Sequence, residues 1–508
     1  MEKQFNTNII VVTWNAINYT KLTLSRLFET TSQNFALTII DNNSEDGTQE
    51  FLSTLQIPKN CINYEFILNA ENKGYGGAIN QGFEVSKKIN SKFTCICNND
   101  LYFQKEWLLG LENEMSENEN LGLLGAMRPS LDVFDINSEK SLKEIVDSTP
   151  NEFTPKEELD RLTNNENFDL FCEKLIKKNG NKLVYLNCPP ETVVTCCAIV
   201  NNKVIELVGG LADEGFKKYG CEDIDLSWRV FNKGYKLAIT NKIYVHHFRH
   251  KSINSSNLDR NKYLEENNNK FVIKWENEIF FFLKSEENRG VDLNEKFNSD
   301  EDYYYFFLRR INDKTSFYQK YIDKKNSIFI DELKIDKPIG NLYRENHTLV
   351  MFQDSKNNFV MGQKTGFYPP NMSRMLGGGL KDSEDPKIAI AREIEEETKV
   401  KIASSEVFEI GRTITKAHTV EGIMYMNVYL YGVKLKDKVE IRPSDDITDV
   451  ITYDLNSLQI LFENMYKLDG EFRNDKFYYL FDDWGRIYGF IHKIALKNFL
   501  KYENSLSI

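Results

Sequence analysis

The sequence predicts an α/β protein built in two parts, and three observations carry that expectation. Its 508 residues exceed what one hydrophobic core supports, so two or three domains are expected. From Ile9 onward, short β-branched runs alternate with helically spaced apolar residues, which is the signature of strand, helix, strand and of a parallel sheet. Strand-like runs resume near His347 and bracket a charged helical segment.

Composition narrows the function classes. A net charge of -12 and a pI near 5.3 argue against nucleic-acid binding, whose affinity rests on Lys and Arg neutralising phosphates. Of eight cysteines, Cys95, Cys97, Cys196 and Cys197 sit in apolar strand-like runs and none forms a C-x-x-C pair. Neither a zinc site nor a disulfide framework is indicated, and reduced thiols in a cytoplasmic protein are expected. No signal peptide and no membrane span is expected, so any contact with a membrane surface is peripheral.

Ile9 to Thr13 is a β-branched run, Tyr19 to Thr31 has helical spacing through Leu24, Leu27 and Phe28, and Phe35 to Ile40 reads as a second strand. That strand ends in Asp41-Asn42-Asn43-Ser44-Glu45-Asp46-Gly47-Thr48. Such a turn lies where open α/β sheets bind ligands, and it is equally what an ordinary capped turn uses. A third strand, Ile62 to Leu68, leads into the glycine-rich segment Asn72 to Asn80 at the start of a helix. Phe93 to Cys97 then runs into Asn98-Asn99-Asp100, where a carboxylate at a strand end can hold a divalent cation against a diphosphate.

Downstream stand Cys196-Cys197-Ala198, Gly209-Gly210-Leu211 and Cys221-Glu222-Asp223-Ile224-Asp225, then a strand from Tyr235 to Val245 and the run His246 to Ser252. In this order the features resemble the inverting family 2 glycosyltransferases of GT-A fold, over residues 1–285 with an interruption at about 130–190. The resemblance implies a Rossmann-like mixed sheet, a nucleotide diphosphate sugar as donor, and Mg²⁺ or Mn²⁺. It gives Thr13, Asn15, Asp41, Lys73, Gly74, Asn98 and Asn99 to the donor, with Asp41 toward the base, and Asp100 and His247 to the metal. Asp223, with Glu222 as second choice, is implied as the base that takes the acceptor hydroxyl's proton. Asn98 departs from the family's D-x-D, and His250 stands where members carry glycine. The acceptor stays open among a glycan, a lipid-linked sugar, a protein and a small molecule. The charged interruption, helical around Phe168 to Ile176, lies on the acceptor side in this family.

Residues 286–328 begin polar and turn aromatic through Tyr303 to Phe307, which reads as a linker with a docking helix. Within 329–508, strands at His347 to Phe352 and Phe359 to Gly362 form a hairpin over Asp354 to Asn358, and Ile423 to Tyr431 is a later strand. Between them, Glu393, Glu396 and Glu397 stand at i, i+3 and i+4, which crowds three carboxylates onto one helix face. A glycine turn feeding such a cluster suits Mg²⁺ or Mn²⁺; a solvated Glu-rich helix is the plainer alternative.

The spacing from Gly378 through Glu384, Arg392, Glu393, Glu396 and Glu397 to Val400 resembles the Nudix hydrolase box, G-x5-E-x7-R-E-U-x-E-E-x-G-U. Lys399 replaces its late glycine, and Leu376 stands where many members have proline. The resemblance implies an α/β/α fold with metal held by Gly378, Glu393, Glu396 and Glu397, and with Glu396 and Glu393 in catalysis. It implies hydrolysis of a nucleoside diphosphate or nucleotide-sugar diphosphate bond. A bifunctional cytoplasmic enzyme is therefore expected. One alternative makes the C-terminal part a noncatalytic nucleotide-sensing or docking module; another makes the N-terminal part a degenerate carbohydrate-binding module.

Overall fold

The structure, a computed structural model, describes residues 5–150, 152–249, 259–299, 303–336, 345–364, 366, 368–474 and 478–506, and the expected departure at His250 lies outside them. Two compact units result: residues 1–274 with 295–315, and residues 275–294 with 316–508.

In the first unit β1 (Thr7–Thr13), β2 (Phe35–Asp41), β3 (Cys61–Leu68) and β4 (Phe93–Asn98) are parallel, in the order β3-β2-β1-β4. Parallel neighbours need crossovers, and the helices Ile17–Thr30, Thr48–Ser53 and Gly74–Lys88 supply them. The strands β5 (Leu101–Phe103), β6 (Leu121–Met127), β7 (Leu183–Leu186), β8 (Cys197–Asn201) and β9 (Lys236–His247) extend the sheet to β3-β2-β1-β4-β8-β6-β9-β5, with β7 on β9. It is a mixed sheet, because β8 runs antiparallel to both β4 and β6. The strand order reverses between β1 and β4, the crevice at which open α/β sheets bind ligands.

Alternation along β1 explains how both of its faces are buried. Ile9 and Val11 join a core with Leu24, Leu27, Leu37 and Ile39. Ile10 abuts Gly82 of the helix Gly74–Lys88, where an added Cβ would lie 2.7 Å from its side chain. The interruption folds as the helices Leu142–Asp147, Pro155–Thr163 and Phe168–Asn179, with a small core of its own around Leu142, Leu162 and Phe171.

The expected boundary near 285 falls inside the helix Glu276–Asn288, which belongs to the second unit. The reason is Arg412, only 4% exposed, which donates to Glu276 Oε2 at 2.9 Å and Asn277 Oδ1 at 2.6 Å. Nor is 286–328 one linker. Its helix Tyr303–Thr315 belongs to the first unit, burying Tyr305, Leu308 and Ile311, while the helix Phe317–Lys324 belongs to the second.

The second unit is a sheet of β10 (Ile328–Lys334), β11 (Asn346–Gln353), β12 (Phe359–Lys364), β13 (Ser373–Arg374), β14 (Phe408–Thr419), β15 (Gly422–Lys434) and β16 (Ile447–Tyr453). Their order is β10-β14-β15-β11-β12-β13, with β16 paired to β12. Period-two alternation in β11 builds three layers. Leu349 and Met351 pack with Leu458, Trp484 and Ile491 of the helices Leu455–Met465 and Phe481–Leu506. Val350 and Phe352 pack with Ile390 and Ile394 of the helix Pro386–Thr398. The result is the expected α/β/α sandwich.

Candidate functional site

At the carboxyl ends of β1 and β2, Thr13 and Asp41 are register partners, and both are fully buried. Thr13 Oγ1 and Ser44 Oγ donate to Asp41 Oδ1 at 2.9 and 2.5 Å, and Ser44 N and Gln49 Nε2 donate to its Oδ2 at 2.9 and 2.7 Å. Asn15 straps the same turn, accepting from Glu45 N at 2.9 Å and donating from its own amide to Ser44 Oγ at 2.8 Å. Lys73 N donates to Asn42 Oδ1 at 3.2 Å, and Asn42 Nδ2 donates to Gly74 O at 3.0 Å. Gly74 has φ +78°, and a Cβ there would lie 2.4 Å from Lys218 Cα. Thr13, Asn15, Asp41, Lys73 and Gly74 shape the loops without lining the adjoining cavity, whereas Asn42 does line it.

That cavity, about 850 Å³, is lined by Asn98, Asn99, Asp100, Glu222, Asp223 and His247 among others, a volume that suits a nucleotide-sized ligand. Antiparallel pairing of β5 with β9 sets Leu101 opposite His247. Asp100 Oδ1 consequently stands 3.1 Å from His247 Nε2, and Asn98 Nδ2 lies 3.3 Å from the same nitrogen. Burial disfavours a charged His247 ring, but the Asp100 carboxylate and the Cys196 thiol outweigh it and push its pKa up to about 10. Asn98 Oδ1 is buried without a hydrogen-bond partner among the described residues. A carboxylate, an imidazole and an orphaned amide oxygen form a donor set that fits Mg²⁺ or Mn²⁺.

Asp223 reaches the cavity from the first turn of the helix Glu222–Asn232. Its Oδ1 accepts from Thr195 N at 3.1 Å and from Thr195 Oγ1. Burial raises the Asp223 carboxyl against those bonds, and burial together with the Asp223 charge raises Glu222. A carboxylate whose pKa is raised by burial is a stronger proton acceptor than an ordinary one.

In the second unit, Arg392 organises the helix Pro386–Thr398. Its Nε and Nη2 each stand 2.9 Å from a different oxygen of Glu384, and its Nη1 lies 2.6 Å from Glu393 Oε1 and 2.9 Å from Glu396 Oε2. Hydrogen bonds from Arg392 and from Lys381 N push the Glu384 carboxyl down to about 2. Gly378 lies against Glu393 so closely that an added Cβ would be 2.3 Å from its Oε2. That cradle, with the Glu393 and Glu396 carboxylates, fits a divalent cation.

Glu397 differs from its two neighbours. It is 1% exposed, its Oε2 accepts from Gly377 N at 2.8 Å, and Lys364 Nζ is 2.9 Å from its Oε1 with Arg374 Nη2 at 3.9 Å. Burial raises its carboxyl in spite of both cations. Lys399, in place of the box's late glycine, takes the left-handed conformation that glycine would, with φ 61°. Behind the glycine turn, His492 Nδ1 donates to Tyr488 O at 2.7 Å and its Nε2 accepts from Met375 N at 2.9 Å. Full burial holds the His492 ring neutral, its pKa pushed down to about 3.

Residues 8–182 match the family profile described as Glycosyl transferase family 2, and residues 343–477 match the NUDIX domain. The chain joins a family 2 glycosyl transferase domain to a NUDIX domain. Among solved structures, the mannosyltransferase PcManGT from Pyrobaculum calidifontis, in complex with GDP-Man and Mn²⁺, is 11% identical with a TM-score of 0.33, over 53% of this chain and 63% of that one. S. aureus TarS 1-349 is 15% identical with a TM-score of 0.31, over 52% and 69%. A MutT/nudix family protein from Enterococcus faecalis is 16% identical with a TM-score of 0.19, over 22% and 43%. A comparison with curated proteins gives no match.

In the glycosyl transferase domain, Asn98, Asn99, Asp100, Glu222, Asp223 and His247 line one cavity, while Thr13, Asn15, Asp41, Lys73 and Gly74 do not line it. In the NUDIX domain, Glu393 and Glu396 share Arg392, and Glu397 turns inward under Lys364. Thr195, Lys364, Arg374 and His492 were not anticipated. A basic residue closing strand Phe359–Lys364 was the available signal for Lys364. All eight cysteines are free thiols, and the Cys95, Cys97 and Cys197 sulfurs lie within 4.8 Å of one another in the core. Among the described residues no helix is long and apolar enough to cross a membrane.

Proposed function

We propose that the glycosyl transferase domain transfers a sugar, with inversion, from a nucleotide diphosphate sugar to an acceptor hydroxyl in the cytoplasm, and that the NUDIX domain hydrolyses a nucleoside diphosphate or nucleotide sugar. The observation that carries the reading is the gathering of Asp100, His247 and Asp223 around one nucleotide-sized cavity. Asp100, His247 and Asn98 Oδ1 would hold Mg²⁺ or Mn²⁺, which supplies positive charge for the departing diphosphate. His247 must give up its proton to ligate. Asp223, with Oδ1 fixed by Thr195, takes the acceptor hydroxyl's proton as the sugar transfers. In the NUDIX domain Glu393 and Glu396 would hold the cation beside Gly378, and Arg392 orients both carboxylates.

A second reading, in which the NUDIX domain binds nucleotide without hydrolysing it, is favoured by the Lys364 and Glu397 pair, because an internal ammonium already neutralises one box carboxylate. The test is a product assay with Mg²⁺ or Mn²⁺ on UDP, GDP, dTDP and their sugar conjugates, comparing wild type, Glu396→Gln and Asp223→Asn. Hydrolysis lost in Glu396→Gln alone and transfer lost in Asp223→Asn alone are the expected results. Nucleotide binding without hydrolysis by the wild type selects the second reading.

A further inference from the structure

We propose that the acceptor of the glycosyl transferase domain carries a phosphate ester, held by cations that the chain adds to the cavity wall; this rests on the transferase reading above. The chain as a whole is acidic, at -12, yet the cavity is not. Apart from Asp100, Glu222 and Asp223, its described lining residues include seven cations against two acids, Asp147 and Asp313.

Where those cations come from separates acceptor from donor. Asp100 and His247, at the β4 end, would hold the cation that supplies positive charge for a diphosphate leaving group. The surplus charge arrives on other elements. Lys143, in the helix Leu142–Asp147, and Arg249, just beyond β9, share Asp147, with Arg249 Nη1 2.9 Å from its Oδ1. Two cations on one carboxylate leave a net positive charge. The helix Tyr303–Thr315 contributes Phe307, Arg310, Ile311 and Lys314, which stand at i, i+3, i+4 and i+7 and therefore form one face, and all four line the cavity.

That helix lies outside residues 8–182, which match the family profile. It pairs two exposed cations with the apolar side chains of Phe307 and Ile311. A neutral glycan gives such a wall nothing to neutralise, whereas a phosphate monoester or diester offers acceptor oxygens to guanidinium and ammonium groups together. The phosphate can be soluble or carried by a lipid headgroup at a membrane surface; the chemistry recognised is the same.

The experiment uses the full chain loaded with Mg²⁺ and either UDP or GDP, titrated with sn-glycerol 3-phosphate and, separately, with glycerol. Binding of the phosphate ester and not of glycerol is expected. The double variant Arg310→Ala with Lys314→Ala, whose substituted side chains are exposed, should weaken that binding by about tenfold or more while nucleotide affinity stays the same. Equal binding of glycerol and its phosphate, or parallel loss of nucleotide affinity in the variant, overturns the proposal; the second result would give these cations to the donor. Phosphatidylcholine vesicles with and without phosphatidic acid form the lipid arm. Capture by phosphatidic acid that the double variant loses marks a lipid-borne phosphate, and binding of the soluble ester alone marks a soluble one. Failure to bind any nucleotide with Mg²⁺ would instead defeat the transferase reading, and the ester titration would still report on these cations.

Discussion

Lys364 Nζ lies 2.9 Å from Glu397 Oε1, and the two side chains are 7% and 1% exposed. A buried ion pair gives little net stability, but removing one partner strands the other. Lys364→Met should therefore destabilise the NUDIX domain by about 3 kcal/mol, moderated by Arg374 at 3.9 Å. Because a divalent cation can take the vacated charge position, Mn²⁺ should restore more stability to the variant than it adds to wild type. Denaturant melts with and without Mn²⁺ check this; a variant as stable as wild type would remove the internal ammonium from the account.

His492 holds the strand that delivers the glycine turn, by accepting the Met375 N–H at 2.9 Å. His492→Phe leaves that buried donor without its acceptor and should cost about 2 kcal/mol. The pH dependence has a definite sign. The folded ring titrates at about 3 and the unfolded ring near 6.5, so the unfolded chain binds the extra proton between these values. Stability is full above about 6.5 and declines as pH falls toward 3, with a slope of up to about 1.4 kcal/mol per unit that the Phe variant lacks.

Gly378→Ala would drive a methyl group to within 2.3 Å of Glu393 Oε2. The carboxylate has to move while the helix core stays intact. Nucleotide hydrolysis should fall by about 100-fold, the usual cost of displacing a catalytic group by an ångström, with a stability change of about 1 kcal/mol. Comparable losses in activity and folding would show that the glycine is structural only.

Asp223 is raised by burial, so sugar transfer should increase with pH through a value above the ordinary carboxylate range of about 3.9. Asp223→Asn should lower the rate by about 10²- to 10⁴-fold and abolish that acidic limb, whereas Glu222→Gln should retain it. A pH profile of transfer for the two variants assigns the base.

The sequence made some of this legible for physical reasons. Strand periodicity located the ends of β1, β2 and β4, and hence the edge on which Asp100 stands. Helical spacing put Glu393 and Glu396 on one face, where Arg392 joins them. Spacing along one helix cannot say what crosses that face from elsewhere, so Lys364 on Glu397 was hidden. The helix Tyr303–Thr315 shows the same limit: its aromatic run reads as a docking helix, but spacing does not show that Arg310 and Lys314 line the cavity. The expected boundary near 285 lies within the helix Glu276–Asn288, whose contact with Arg412, far along the chain, local spacing does not show.

The order in which the chain visits its two units carries an evolutionary consequence. Residues 275–294 are committed to the NUDIX unit before residues 295–315 return to the transferase unit. No single recombination breakpoint can then hand both units on intact. A gene cut before 295 loses the Arg310 and Lys314 wall from the first part, and one cut after 315 removes from the second the helix that Arg412 clasps. A single cut that keeps one unit whole, after 274 or after 315, therefore leaves the other without one of its segments.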